Sequence, residues 1–291
     1  MKLSHTRAVW LMVAVTLMWS IAGVVTRQLE HARSFEVTFW RSFFTLVSLL
    51  TILLGVDGRQ VFGKIRHGGA TLWISGVCWS VMFTAFMVAI TLTTVANVLV
   101  TMSVGPLLTA LLARIFIGHR LPLRTWGAIM VAGLGIAYMY GTQVSGGHIA
   151  GTLVALCVPI AGAVNWTVVQ RSHAQGNNVD LVPAVLLGAL ISSLATLPLA
   201  LPFAATAHDM GWLALLGLVQ LAIPCALSVM CARVLKAPEV ALLALLEVIF
   251  GIALAWLGAN EAPGPTVLTG GALVIGALAT NELLGWRQRN D

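Results

Sequence analysis

The chain has 291 residues, of which 59% are apolar and 9% charged, with a mean hydropathy of +0.95. A soluble domain of that size needs far more polar surface to cover its core, so composition places the chain in a bilayer. The net charge of +6 comes from cations scattered along the chain; without one gathered basic surface, nucleic acid is excluded as a partner.

Ten apolar segments follow one another at 8–26, 35–56, 70–91, 94–116, 123–141, 149–170, 181–201, 210–231, 237–258 and 265–286. Each is long enough to cross a hydrocarbon layer of about 30 Å at about 1.5 Å per residue. Amides in lipid must be satisfied within the segment, which predicts helices; a barrel would read as short alternating strands. The first segment is too long for a signal peptide and lacks a small-residue cleavage site, so it reads as a retained helix. The longest connection, Asp57 to Gly69, leaves no room for a soluble domain.

Basic residues alternate between connections. Lys2, Arg7, Arg59, Lys64, Arg66, Arg114, Arg120, Arg124, Arg171, Arg233, Lys236, Arg287 and Arg289 fall on one side, and only Arg27 and Arg33 on the other. The positive-inside rule then predicts that both termini and every even-numbered loop face the cytoplasm. Arg41 lies inside the second segment, where it can snorkel to the interface or pair with Glu36, five positions back.

A polar, Gly-rich stretch, Gly141–His148, bisects the chain and leaves five segments on either side. An odd number per half forces the second half to enter the membrane upside down. Residues 1–143 and 144–291 are therefore expected to be two inverted five-helix repeats, an arrangement common in secondary transporters. Asn97–Pro122 laid over Glu239–Gly264 keeps few identities but shares hydropathy, a polar turn at the same place and a Gly-rich following helix.

No Gly-rich phosphate loop with Lys, no intramembrane Ser/His pair and no ATPase module is present, which leaves an enzyme weakly supported. Cys78, Cys157, Cys225 and Cys231 all fall inside apolar segments without a C-x-x-C pair, and no helix places two histidines at i, i+4. No cofactor, disulfide framework or metal site is expected.

Glu247 lies about ten residues into the ninth segment, roughly 15 Å deep. A carboxyl there either contacts a substrate amine, acts as a proton-sensitive gate, or holds helices together as a hydrogen-bonded group. Glu239 and Asn97 occupy equivalent places at the starts of the ninth and fourth segments; Glu239, just after Pro238, suits a helix N-terminus. Pro106, Pro159 and Pro224 fall within the fourth, sixth and eighth segments, as bending points during transport or as fixed kinks.

GLVQLAIPCALSVMCARVLKAPEVALLALLEVIFGIALAWLGANEAPGPTVLTGGALVIGALA (Gly217–Ala279) resembles the second half of an EamA-type protein of the drug/metabolite transporter (DMT) superfamily. Ala96–Leu121 resembles the matching part of the first half, and FWRSFF (Phe39–Phe44) the arginine-bearing start of the second helix. Among members the chain looks most like the YddG-type inner-membrane exporters of aromatic and other amino acids. The resemblance implies an all-α integral membrane protein of ten transmembrane helices, with a central cavity lined mainly by helices 1, 3, 4, 6, 8 and 9. Trp19, Ser20, Trp79, Phe83, Ser103, Asn165, Trp166, Gln220 and Leu243 lie in those helices and join Asn97 and Glu247 as cavity candidates. Glu247-Val248 stands where many relatives have Glu-Pro, so a mechanism needing a proline hinge there has no support.

The expected function is a secondary transporter of the bacterial cell inner membrane that exports amino acids by alternating access. Export of another small metabolite or a cationic drug is the alternative, and a membrane-embedded enzyme or ligand-binding protein without transport is the reading from another class. The expected partners are a small-molecule substrate and the lipid bilayer, with oligomeric state, monomer included, left open.

Overall fold

The structure, a computed structural model, describes residues 3–26, 28–32, 34–93, 98, 101–118, 121–140, 149–176, 180–259 and 264–290, and within them all regular structure is helical. The helices are α1 (His5–Ser20), α2 (Ala22–Thr26), α3 (Ser34–Asp57), α4 (Gln60–His67), α5 (Gly69–Leu92), α6 (Gly105–Ile117) and α7 (Leu123–Tyr140). They continue as α8 (Ile149–Ala174), α9 (Val182–Ala200), α10 (Ala207–Leu215), a π-helical run Leu216–Ala222, α11 (Ile223–Cys231), α12 (Ala237–Ala244), α13 (Leu246–Ala259) and α14 (Pro265–Asn290).

Among the described residues, six helical stretches are long and apolar enough to cross a membrane: His5–Thr26, Phe35–Asp57, Gly69–Ala89, Ile149–Ala174, Val182–Ala200 and Ala207–Cys231. Gly105–Ile117, Leu123–Tyr138 and Pro265–Asn281 are shorter apolar helices. Large apolar side chains such as Ile115, Leu134, Leu153 and Leu194 are exposed, as lipid permits and water does not. This is a multi-pass membrane protein.

Four of the expected segments depart from a plain helix. The first pauses at Ile21, between α1 and α2. The fourth turns at Ser103–Val104, so α6 begins at Gly105 with Pro106 in its first turn, where a missing amide proton costs nothing. Pro106 is thus a helix-start proline rather than a mid-helix one. The ninth breaks at Leu245, where Leu245 and Val248 donate to carbonyls three residues back, Leu242 at 3.2 Å and Leu245 at 3.1 Å. In the eighth, Pro224 has no amide proton to give the carbonyl of Gln220, and the chain widens into seven π-helical residues just before it. Pro159 stays inside α8. The Asp57–Gly69 connection holds α4, which buries Val61 and carries Lys64, Arg66 and His67 in its last turn, where cations complement the helix dipole.

α5 packs on α8 and α9, α3 on α9 and on the α10–π run, α6 on α8 and α12, and α1 on α11, α12 and α13; α7 and α14 pair with each other. Small and hydroxyl residues let these helices approach closely. A Cβ at Gly188 of α9 would collide with the Cβ of Trp79 on α5, and one at Gly217 would lie 2.8 Å from the Phe44 carbonyl carbon on α3. Ser42 and Ser192 hydrogen-bond at 2.9 Å between α3 and α9, and Thr125 donates to Asn281 at 3.0 Å between α7 and α14.

The connections rich in basic residues meet at one end. There Lys64 bonds Asp57 at 2.7 Å and Asp180 at 2.9 Å, Arg233 bonds Asp180 at 2.8 Å, and His5 lies 3.4 Å from Glu239. At the opposite end, the buried Glu36 accepts from the amides of Ala204 and Ala205 at 2.8–3.0 Å. The buried Asp209 accepts there from Glu30 at 2.8 Å and His31 at 3.2 Å. Glu239 also accepts from the Lys236 amide at 3.1 Å, in the capping role expected for it.

Candidate substrate cavity

A cavity with about 170 Å³ open to the centres of water molecules lies among the helices. Trp19 of α1, Arg41 of α3, Trp79, Met82, Phe83 and Phe86 of α5, and Gly105, Pro106 and Thr109 of α6 line it. From the other half come Pro159 and Trp166 of α8, Gln220 of the π run, Cys225 of α11, Ala241 and Ala244 of α12, and Glu247 and Val248 of α13.

Three rings form a connected wall: Trp79 meets Trp166 edge-on at 5.7 Å and Phe83 at 5.6 Å. Such contacts hold the rings in fixed attitudes. The close approach of Gly188 presses α9 behind Trp79 and so sets the position of this wall. The Trp79 indole N–H is buried without a hydrogen-bond partner among the described residues.

Polar groups are few. Gln220 donates to the Trp19 carbonyl at 3.4 Å, and its carbonyl oxygen has no partner among the described residues. Glu247 stands in the first turn of α13, immediately after the Leu245 break. A helix N-terminus favours negative charge, so the break supplies a setting for a carboxylate that an unbroken helix would not.

Of the residues expected around the cavity, Trp19, Trp79, Phe83, Trp166, Gln220 and Glu247 line it, as do Pro106 and Pro159. Ser20 instead donates to the Leu17 carbonyl at 2.7 Å. Asn165 is fully buried between α8 and α5, accepting from Ser75 at 2.6 Å. Ser103, Leu243 and Pro224 are buried without lining the cavity, and Asn97 lies outside the described residues, as does the Gly141–His148 break.

Arg41 neither snorkels nor pairs with Glu36. It is 3% exposed, lines the cavity and donates from Nη2 to the Phe83 carbonyl at 3.1 Å, while the Glu36 carboxylate is taken up by two backbone amides. The second helix thereby joins those expected around the cavity. The signal in the sequence was a cation six residues inside an apolar segment. Cys157 is exposed, unlike the other three thiols, and all four are free.

These features define a multi-pass helical membrane protein built around a small aromatic cavity. Residues 6–141 match the family model described as the EamA-like transporter family. No curated protein matches the chain. Among the solved structures, one crystal structure described only as that of a protein is similar at a TM-score of 0.81, with 15% identity over 97% of this chain and 99% of that one. That likeness establishes a shared fold.

Proposed function

We propose that the chain is a secondary transporter of the bacterial inner membrane, exporting amino acids, aromatic ones included, from the cytoplasm by alternating access. The observation that carries this reading is the cavity: aromatic walls and a few convergent polar groups, Arg41, Gln220 and Glu247, facing one space. A carrier needs such a site deep in the membrane between two bodies that can rock.

The reading includes ten crossings in two inverted repeats, 1–143 and 144–291, with both termini cytoplasmic. Reciprocal packing supports it. The second segments of the halves pack on each other (α3 on α9), as do the fourth (α6 on α12) and the fifth (α7 on α14). The third segment of each half packs on the first and second segments of the other. A two-fold axis in the membrane plane produces that pattern. The fourth segment of each half is also broken beside the cavity, at Ser103–Val104 and at Leu245. On this reading, the Lys64–Asp180 and His5–Glu239 contacts close the cytoplasmic end between the halves, and Glu36 and Asp209 tie them at the periplasmic end.

Counterflow tests the reading. Proteoliposomes loaded with single unlabelled amino acids should take up labelled phenylalanine or tryptophan saturably, at rates that depend on the internal amino acid. Uptake no greater than in empty liposomes, from folded protein, sinks the amino-acid assignment; exchange of another metabolite or an organic cation then names the substrate.

A further inference from the structure

The cavity holds two opposite charges that complete neither each other nor themselves. Arg41 is almost fully buried; its Nη2 binds the Phe83 carbonyl, while its Nε is buried with no partner among the described residues. Glu247 faces the same space from the first turn of α13 and takes no hydrogen bond from the described residues. The two act on each other electrostatically across the cavity, yet no nitrogen–oxygen pair between them comes within 4.0 Å. Buried charges without a direct partner are costly, and a ligand that complements both removes that cost.

We propose that Arg41 and Glu247 form a two-ended clamp for a zwitterionic α-amino acid. The Arg41 guanidinium donates to the substrate carboxylate, Glu247 accepts from the substrate ammonium, and the side chain lies against Trp79, Phe83 and Trp166. The inference rests on the amino-acid transport reading above and deepens it by assigning each end of the substrate to a residue. A guanidinium presents a planar fork of donors that matches a carboxylate. The N-terminus of α6 at Gly105, which carries no acidic residue, adds its positive end to the same cavity. An organic cation satisfies Glu247 and is repelled by Arg41; an organic anion does the reverse. Only a ligand carrying both charges is favoured at both ends, so the clamp selects by penalising each half-substrate.

The test uses the purified full chain, with binding followed by titration calorimetry and transport by counterflow. The probes are phenylalanine, phenethylamine (no carboxylate) and 3-phenylpropionate (no ammonium). In the unaltered protein each analogue should bind about 100-fold more weakly than phenylalanine, the loss typical of an unpaired buried charge. Arg41→Gln should weaken phenylalanine by a similar factor and, with the repulsion gone, bind phenethylamine at least as tightly as the unaltered protein does, erasing the preference between them. Glu247→Gln should do the same for phenylalanine against 3-phenylpropionate. Either analogue matching phenylalanine in the unaltered protein overturns the clamp without any variant having to fold. A folded Arg41→Gln protein that still prefers phenylalanine to phenethylamine also overturns it. Phenylalanine that binds with this discrimination but is not carried sinks the transport reading alone, and phenylalanine that does not bind sinks both.

Discussion

Lys64 and Asp180, 116 positions apart, meet at 2.9 Å and join the connection after α3 to the connection before α9. Asp57 and Arg233 complete the cluster on either side, at 2.7 Å and 2.8 Å. Each member is partly exposed, so no single pair stabilises strongly; the consequence is geometric, because the cluster links the two halves of the chain at one end of the bundle.

Hydrogen bonds to Asp57 and then Asp180 hold the Lys64 ammonium above its ordinary pKa of 10.5. Burial pushes the Asp180 carboxyl up, but the Lys64 bond, the Val182 amide and the Arg233 charge outweigh it and hold the group below 3.8. A depressed carboxyl contributes stability above 3.8 that is lost as pH falls; a raised ammonium contributes below 10.5 and is lost as pH rises further. Asp180→Asn should therefore lower the melting temperature in detergent by roughly 1–3 °C at neutral pH. The gap from the unaltered protein should start to narrow as pH drops past 3.8 and close only below the depressed folded-state pKa of Asp180, where both carry a neutral side chain. An equal gap at every pH would show that the ion pairs contribute nothing.

Glu36 is fully buried and accepts from two amides in the stretch between α9 and α10. Glu36→Ala strands those amides and should cost about 2–4 kcal/mol, read as a lower melting temperature. Glu36→Gln keeps one acceptor oxygen and should lose less. A melting temperature unchanged by Glu36→Ala would mean that water replaces the carboxylate.

Gly188→Val places branched carbon against the Trp79 Cβ and should destabilise by about 1–3 kcal/mol while pushing the aromatic wall into the cavity. Phenylalanine affinity should fall with it. Gly127, with nothing near its missing Cβ, is the control, and Gly127→Ala should leave both unchanged. Equal effects at the two positions would separate the loss from the cavity wall.

The proposed topology places Arg59 and Ala204 on opposite sides of the membrane. A cysteine introduced at Ala204, in a chain cleared of its four native thiols, should react with an impermeant maleimide in intact cells; one at Arg59 should react only after permeabilisation. Labelling of both from the same side would remove the inverted arrangement.

Much of the bundle is legible locally because hydropathy is a local property. Segment starts and ends, and the side to which basic residues belong, follow from short windows of sequence. The breaks are less legible. Pro224 announces a disturbance but not the seven π-helical residues that absorb it, and Leu245 carries no breaker at all. The cavity is legible only in part: Glu247, Gln220 and the Trp79–Trp166 pair stand out as unusual groups at mid-membrane, and all line it. Asn165 stands out equally, yet it is spent on Ser75 between two helices.

The sequence by itself determined that the chain is a helical membrane protein and which ends of its segments lie together, because burying amides in lipid and sorting charge across it are decided segment by segment. Only the tertiary structure decided which side chains face the centre. A helix apolar on all sides carries no stripe to mark its inner face, so the direction of a residue is set by its neighbours across the bundle. Arg41 points into the cavity because the Phe83 carbonyl receives it there and the Glu36 carboxylate is already held by the amides of Ala204 and Ala205, from the other half of the chain.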